Sequence, residues 1–352
     1  MSGFKKNDGG GDKKPPNDSD KPVAEGDEEP KKDEPKKSTV LGKQEPIPAE
    51  SFKAADYAKS HDLAGVTEED ILKHFPPDTA AKIKAAQDRL KGIEETYSKF
   101  KKDGAWTLER QELHRKIIYD GVIGKDENGN EVKVPGLLSP ERVAAARPAK
   151  GEKPTMVLLG GRGGSGKSSL KGQVYEPDRC IVLDADHIKS MMPEYEGWNA
   201  HQVHEESGQI FDTVVAFARI MGLNVVLDKT MKTSASAVSD VQRFKDAGYR
   251  TEAHYMHLPR QEAAKRAVQR FLDGGENGRY VPTNVVLGMT TNEGSFDDVM
   301  DMVDAWSFRD NNVEKGSTAK VISERGDAAM KRKDIMTKSL IKPIIMLWRK
   351  SK

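Results

Sequence analysis

The stretch TMVLLGGRGGSGKSSL, residues 155–170, constrains the fold more than any other part of this chain. An apolar run that reads as a buried strand breaks into a glycine-rich segment and ends on Lys-Ser-Ser. Gly161, Gly166, Lys167 and Ser168 satisfy the pattern G-x-x-x-x-G-K-[ST]. Glycines at this spacing let successive backbone N–H groups curl around phosphate oxygens, and a following helix adds the amides of its first turn. The residues expected to bind a nucleoside triphosphate are therefore Gly161, Arg162, Gly163, Gly164, Ser165, Gly166, Lys167, Ser168 and Ser169. In this loop the lysine holds the β- and γ-phosphates, and the hydroxyl of Ser168 ligates Mg²⁺.

The sequence around the loop supplies the sheet that such a motif needs. Apolar, β-branched runs recur at residues 156–159, 180–183, 224–227, 250–258, 306–308 and 320–323. Between them lie the amphipathic patterns HEESGQIFDTVVAFARIMG, SASAVSDVQRFKDAG and RQEAAKRAVQRFLDG. Buried strands alternating with such helices describe a parallel sheet covered on both faces. The expected fold class is α/β, a P-loop kinase-like parallel sheet flanked by helices, over residues 151–328. Ahead of it, residues 51–150 read as a helical accessory region: VTEEDILKHF opens with a Thr N-cap signal, and DTAAKIKAAQDRLKGIEETYSKFKK has helical spacing. TLERQELHRKIIYDGVI repeats that spacing, with Leu108, Leu113 and Ile117 on one face, and GKDENGNEVKVPG reads as a turn-rich linker or hairpin.

Both ends differ in texture. Residues 1–50 consist largely of Lys, Asp, Glu, Gly and Pro, with too little to bury to offset the entropy of ordering, and are expected to be a disordered charged tail. Residues 329–352 read as a basic helix or tail, interrupted at Pro343. The formal charge of +1 gives no global argument for nucleic acid. No apolar run approaches the roughly 20 residues of a membrane span. The single cysteine, Cys180, fits a reducing compartment, so the expected location is the cytoplasm.

In doubly wound sheets the ligand lies beyond the carboxyl ends of the strands. The second strand ends in LDADHIK, placing Asp184 and Asp186 there; a carboxylate at this edge can hold Mg²⁺ or accept the proton of an attacking hydroxyl. The third ends in LDKT, where Asp228 is a candidate Mg²⁺ partner and Thr230 a candidate substrate contact. Farther on, KRAVQRFLDGGENGRYVP runs from a basic helix into a glycine-rich turn, a layout suited to a lid whose Arg270 and Arg279 close over a transferring phosphoryl group.

GGRGGSGKSSL, LDADHIKSMMPEY, HEES, NVVLDKT, GRYVP and RDNN occur in an order that resembles the zeta-toxin family of P-loop kinases, over residues 154–326. The helical lead-in also looks like that of larger, often phage- or mobile-element-associated members. The resemblance implies transfer of phosphate from ATP with Mg²⁺ to a sugar hydroxyl of UDP-N-acetylglucosamine, and an antitoxin-like or phage protein partner. It assigns Asp186 as catalytic base, Lys167 and Ser168 to phosphate and metal, Arg270 and Arg279 to the lid, and Thr230 to the substrate. Within HEES it points to Glu205 as the substrate-binding acid, with Glu206 as the alternative. The chain departs from the family where Asp228-Lys229-Thr230 stands in place of Asp-Gly-Thr. A second reading follows from that departure: a nucleotide-binding interaction protein whose first 150 residues make the important contact.

Overall fold

A computed structural model describes residues 45–125, 131–275, 278–314 and 316–330. The readings of a disordered charged tail over residues 1–50 and of a basic helix or tail over residues 329–352 lie outside the described residues except at 45–50 and 329–330. There the backbone N–H of Ile47 donates to the carbonyl oxygen of Ile322 at 2.7 Å, and Met330 is buried.

The accessory region contains short helices and two ribbons: α1 Ala54–His61, α2 Glu68–Leu72, α3 Thr79–Leu90, α4 Thr96–Phe100, the pair β1 Lys101–Lys102 and β2 Ala105–Trp106, α5 Leu108–Arg115, the hairpin β3 Val122–Lys125 with β4 Glu131–Val134, and α6 Pro140–Ala145. Thr67 caps α2 in a reciprocal capping box with Asp70, as the local sequence predicts. The long helical pattern after Asp78 is not one helix. It stops at Leu90, and Gly92 takes a positive φ of 80° that carries the chain out of helical geometry before α4 begins. Nor does Leu108 share the buried face of α5: it is 83% exposed, and Arg110 is the residue that the helix buries.

The remainder builds the sheet: β5 Thr155–Gly160, β6 Ile181–Asp184, α7 Ala185–Ser190, α8 His204–Ile220, β7 Val225–Asp228, α9 Ser234–Asp246, β8 Arg250–His257, α10 Arg260–Asp273, α11 Thr283–Leu287, α12 Asn292–Met300, β9 Ala305–Asp310 and β10 Lys320–Arg325. Strand order is β10-β9-β8-β5-β7-β6, parallel throughout except for the antiparallel edge β10. All six strands read from the sequence are present. Every residue of β5 is buried, which is why that strand reads as a continuous apolar run instead of an alternating one.

The accessory region shares this core. Phe52, Ile117, Ile118, Leu137 and Leu138 belong to one buried cluster with Met156, Leu158, Trp306 and Phe308. The ring of Phe52 stacks on Trp306 at 5.9 Å and tilts against Phe308 at 5.0 Å. A second cluster joins Ile71, Ile83 and Ala86 of α2 and α3 to Ala264, Val268 and Phe271 of α10 and to Tyr280. Residues from Glu45 onward therefore form one compact unit, with no structural boundary near residue 150.

A chain trimmed to residues 151–352 is accordingly expected to lose cooperative unfolding, measured by circular dichroism melting. In the full chain, Phe52→Ala should cost about 3–5 kcal/mol in denaturant titrations, the range for deleting a buried aromatic.

Candidate active site

The loop after β5 is held open by contacts from the side. A Cβ at Gly161, where φ is 139°, would stand 2.5 Å from the carbonyl oxygen of Met256, so only glycine fits this bend. Asn311, in the RDNN stretch after β9, donates from Nδ2 to the carbonyl oxygen of Ser165 at 2.8 Å and packs against Gly166. The guanidinium of Arg162 is 1% exposed and turns into the protein, pairing with Glu293 of α12 and donating to the carbonyl oxygens of Met289 and Leu258 at 3.0 and 3.1 Å. Arg162 thus braces the loop from behind. The expected helix after the motif is a single 3₁₀ turn, Lys167–Leu170. Gly172, at φ 77°, turns the chain away directly afterwards, and Lys171 then bridges to Tyr175. Phosphate recognition here falls to the loop amides and Lys167, without a full helix behind them.

A cleft of about 810 Å³ opens over the strand ends. Arg162, Gly163, Gly164, Gly166, Lys167 and Ser168 border it. Gly161 and Ser165 lie buried, and the hydroxyl of Ser169 donates to the carbonyl oxygen of Gly166 at 2.9 Å. Lys167 Nζ donates to the carbonyl oxygen of Gly161 at 2.8 Å and stands 3.7 Å from Asp228 Oδ1.

Asp184, Asp186, Asp228, Thr230, Arg270 and Arg279 all border the same cleft. Asp184 and Asp228 are register partners at the tips of β6 and β7. Asp184 is also the N-cap of α7, accepting from the backbone N–H of Asp186 at 2.9 Å. The Asp186 carboxylate is paired with Arg279 and lies 3.2 Å from Lys189 Nζ. Burial pushes its pKa up, but those two cations outweigh the effect and hold it below the usual carboxylate range. Asp228 goes the other way: burial pushes it up to about 6, helped by Asp184 and Asp186 and opposed by Lys167. On the side of α10, burial and the nearby Arg279 both lower the pKa of Arg270.

The acids of HEES lie elsewhere than expected. Glu205 is exposed and does not border the cleft, while Glu206 is fully buried against Arg110 and His114. The face of α8 that borders the cleft carries His204, Gly208, Phe211 and Asp212, at helical spacing. Asp212, Lys189 and Asn311 were not singled out from sequence. The signal for Asp212 was the period of α8 itself, which puts it in phase with Gly208. Thr230 faces the cleft, its carbonyl oxygen held by Asn292 Nδ2 at 2.7 Å, next to Met231 at φ 54°. Lys229 also borders the cleft, but its ammonium reaches Asp240 of α9 at 2.5 Å and lies over the Phe211 ring at 5.2 Å. Its extra charge is thereby neutralised within the wall.

The sequence profile of the Zeta toxin family matches residues 141–314. That segment is a zeta-toxin domain. It is 27% identical over 129 residues to Toxin zeta of Streptococcus pyogenes, a match covering 34% of this chain and 45% of the toxin. Toxin zeta of Enterococcus hirae gives the same identity and coverage. The chain thus spans less than half the length of these curated relatives. Among solved structures it is similar to one from the PezAT chromosomal toxin–antitoxin system of Streptococcus pneumoniae, with 14% identity, a TM-score of 0.42, and coverage of 54% of this chain and 79% of that one.

The donor set of the zeta-toxin domain fits a hard divalent cation. Ser168, Asp184 and Asp228 offer only oxygen, and the crowded carboxylates that raise Asp228 would be relieved by positive charge. Among the described residues no group of three or more His, Cys, Asp or Glu side chains could hold a metal ion. Mg²⁺ usually takes one or two carboxylates and completes its shell with substrate phosphates and water, so the ion would enter together with a nucleotide.

A carboxyl raised to about 6 in the folded state, against about 3.8 unfolded, makes the native state bind the extra proton. Its cost to stability therefore develops as pH rises from about 4 to about 6 and is fully present above that. Asp228→Asn should stabilise the protein at pH 7 by an amount on the order of 3 kcal/mol in denaturant titrations, and leave its stability nearly unchanged near pH 4. The same variant should weaken the Mg²⁺ dependence of ADP binding, measured by calorimetry.

Proposed function

We propose that this protein is an ATP- and Mg²⁺-dependent phosphotransferase that phosphorylates a hydroxyl of a small molecule, a nucleotide sugar such as UDP-N-acetylglucosamine, and that it acts as a toxin. The observation that carries this reading is the convergence of Lys167, Asp186, Arg270 and Arg279 on one cleft that has, beyond them, a second wall made of Thr230, Phe211 and Asp212. A nucleotide-holding scaffold needs the loop and the lysine. It has no use for a carboxylate and two arginines gathered at the edge of the same cleft.

The roles follow from charge and position. The loop amides and Lys167 would bind the β- and γ-phosphates, and Ser168 with Asp184 and Asp228 would hold the metal, which would supply neutralisation of phosphate charge. Asp212 and Thr230 hold the acceptor, so that a hydroxyl lies beside Asp186. Asp186 takes the hydroxyl proton as the oxygen bonds to the γ-phosphorus; the bond from that phosphorus to the β–γ bridging oxygen breaks, and ADP leaves. Arg270 and Arg279 neutralise the charge spread over the transferring oxygens. In the present arrangement Arg279 is spent on Asp186, and a γ-phosphoryl group offers it a stronger partner, freeing the base when the triphosphate is in place.

Lys229 does not spoil this site, because Asp240 holds it in the wall. Nor is the nucleotide half closed by the accessory region: among the described residues, those bordering the cleft begin at Leu158. An antitoxin-like protein therefore remains the proposed partner class, by the family resemblance.

The test is incubation of the full chain with ATP, Mg²⁺ and a panel of nucleotide sugars, followed by mass spectrometry. The expected outcome is a gain of one phosphate on the acceptor. Asp186→Asn should lower that turnover by about 10²–10⁴-fold while ADP affinity is retained. ADP binding with no phosphorylated acceptor anywhere in the panel would favour the scaffold instead.

A further inference from the structure

One side chain of α5, Arg110, ties together the first turn of α8 and the segment that precedes it. Arg110 is 5% exposed and uses its whole fork. Its Nε donates to Glu206 Oε1 at 2.6 Å and Nη2 to Glu206 Oε2 at 2.9 Å. On the other edge, Nη1 donates to Glu194 Oε1 at 2.7 Å and Nη2 to Glu194 Oε2 at 2.8 Å. Phe100 lies under the guanidinium, 4.5 Å from its ring centre, and His114 Nε2 bonds to the same Glu206 at 2.6 Å. Nearby, the backbone N–H of Thr96 donates to the carbonyl oxygen of Gln202 at 2.8 Å.

The two carboxylates stand at strategic points of the chain. Glu194 follows α7, which carries Asp186 and Lys189. Glu206 opens α8, which presents His204, Gly208 and Asp212 to the cleft. A planar guanidinium with two bidentate partners fixes both in distance and in angle, which a lysine cannot do. Glu206 is completely buried, so loosening the fork would leave its carboxylate to His114 without the guanidinium, away from water.

We propose that Arg110 is a positioning residue for the acceptor half of the site: through Glu194 and Glu206 it sets the separation between Asp186 and Asp212, and so the placement of the hydroxyl against the base. The kinetic consequence rests on the phosphotransferase reading above; the structural one does not. The nucleotide half is held by other groups, Glu293 and Asn311, and is independent of the fork.

The experiment compares the full chain with Arg110→Lys, with the double variant R110M/E206Q, which leaves no charge orphaned at position 206, and with Glu194→Gln, a mild change at a partly exposed partner. ADP affinity, kinetics with ATP and UDP-N-acetylglucosamine, and amide hydrogen exchange are measured on each. The expected result is a kcat/KM for the acceptor lowered by about tenfold to a hundredfold, the size of effect that a small misplacement of reacting groups produces. Exchange over residues 186–212 should accelerate while exchange over residues 155–170, and ADP affinity, stay as in the parent. Glu194→Gln should show the same pattern in weaker form. Loss of ADP affinity in step with acceptor turnover, or exchange raised throughout a folded variant, overturns the proposal and makes Arg110 a general stabiliser. If the parent transfers no phosphate to any sugar nucleotide, the phosphotransferase reading fails, and the exchange pattern alone decides the role of Arg110.

Discussion

A loop that offers its amides to a phosphate cannot also bond them to itself, so its shape has to be imposed from the side. Here that task falls mainly to the buried pair of Arg162 and Glu293. Arg162 sits inside the motif yet points away from the cleft, reaching the carbonyl oxygens of Leu258 and Met289, with Asp62 3.5 Å off. Glu293 is also bonded to His257 Nδ1 at 3.0 Å, and Asp62 to Arg260 Nε at 2.8 Å. Breaking one side of such a buried network leaves an uncompensated charge, at a cost of about 3–5 kcal/mol. Asn311 completes the frame at Ser165. With only a 3₁₀ turn following the loop, this lateral bracing takes over much of what a longer helix would otherwise fix.

The cleft's charges also explain one another. Three carboxylates crowd the tips of β6 and β7, and four cations, Lys167, Lys189, Arg270 and Arg279, face them. The two sets pair directly, Lys167 leaning to Asp228 and Arg279 to Asp186. Burial, with Asp184 and Asp186 nearby, raises the pKa of Asp228 against the pull of Lys167, while Arg279 and Lys189 bring that of Asp186 down.

Residues 45–150 contribute at three separate places: Asp62 beside the loop brace, α2 and α3 on the helix that precedes Arg279, and Arg110 under the acceptor wall. Gln87 Nε2 donates to the hydroxyl of Tyr280 at 2.8 Å, adjacent to that arginine. A segment that reads as an appendage is therefore part of the frame that holds the strand-end residues in place.

The sequence by itself determined the six strands and the loop, because those rest on local rules: buried strands are apolar and tight phosphate loops need glycine; the strand order and the antiparallel edge β10 came only from the structure. That Lys167, Asp186 and Arg279 border one cleft accords with their places in the sequence pattern. Only the tertiary structure decided which acid of α8 faces the cleft, that Arg162 and Glu206 are structural, that Lys229 is absorbed by Asp240, and that the accessory helices share the core. Each of these depends on a partner more than ten residues away in the chain. A charged side chain looks the same in a sequence whether its counter-ion is a substrate or a buried residue, and only the packing of distant elements chooses between them.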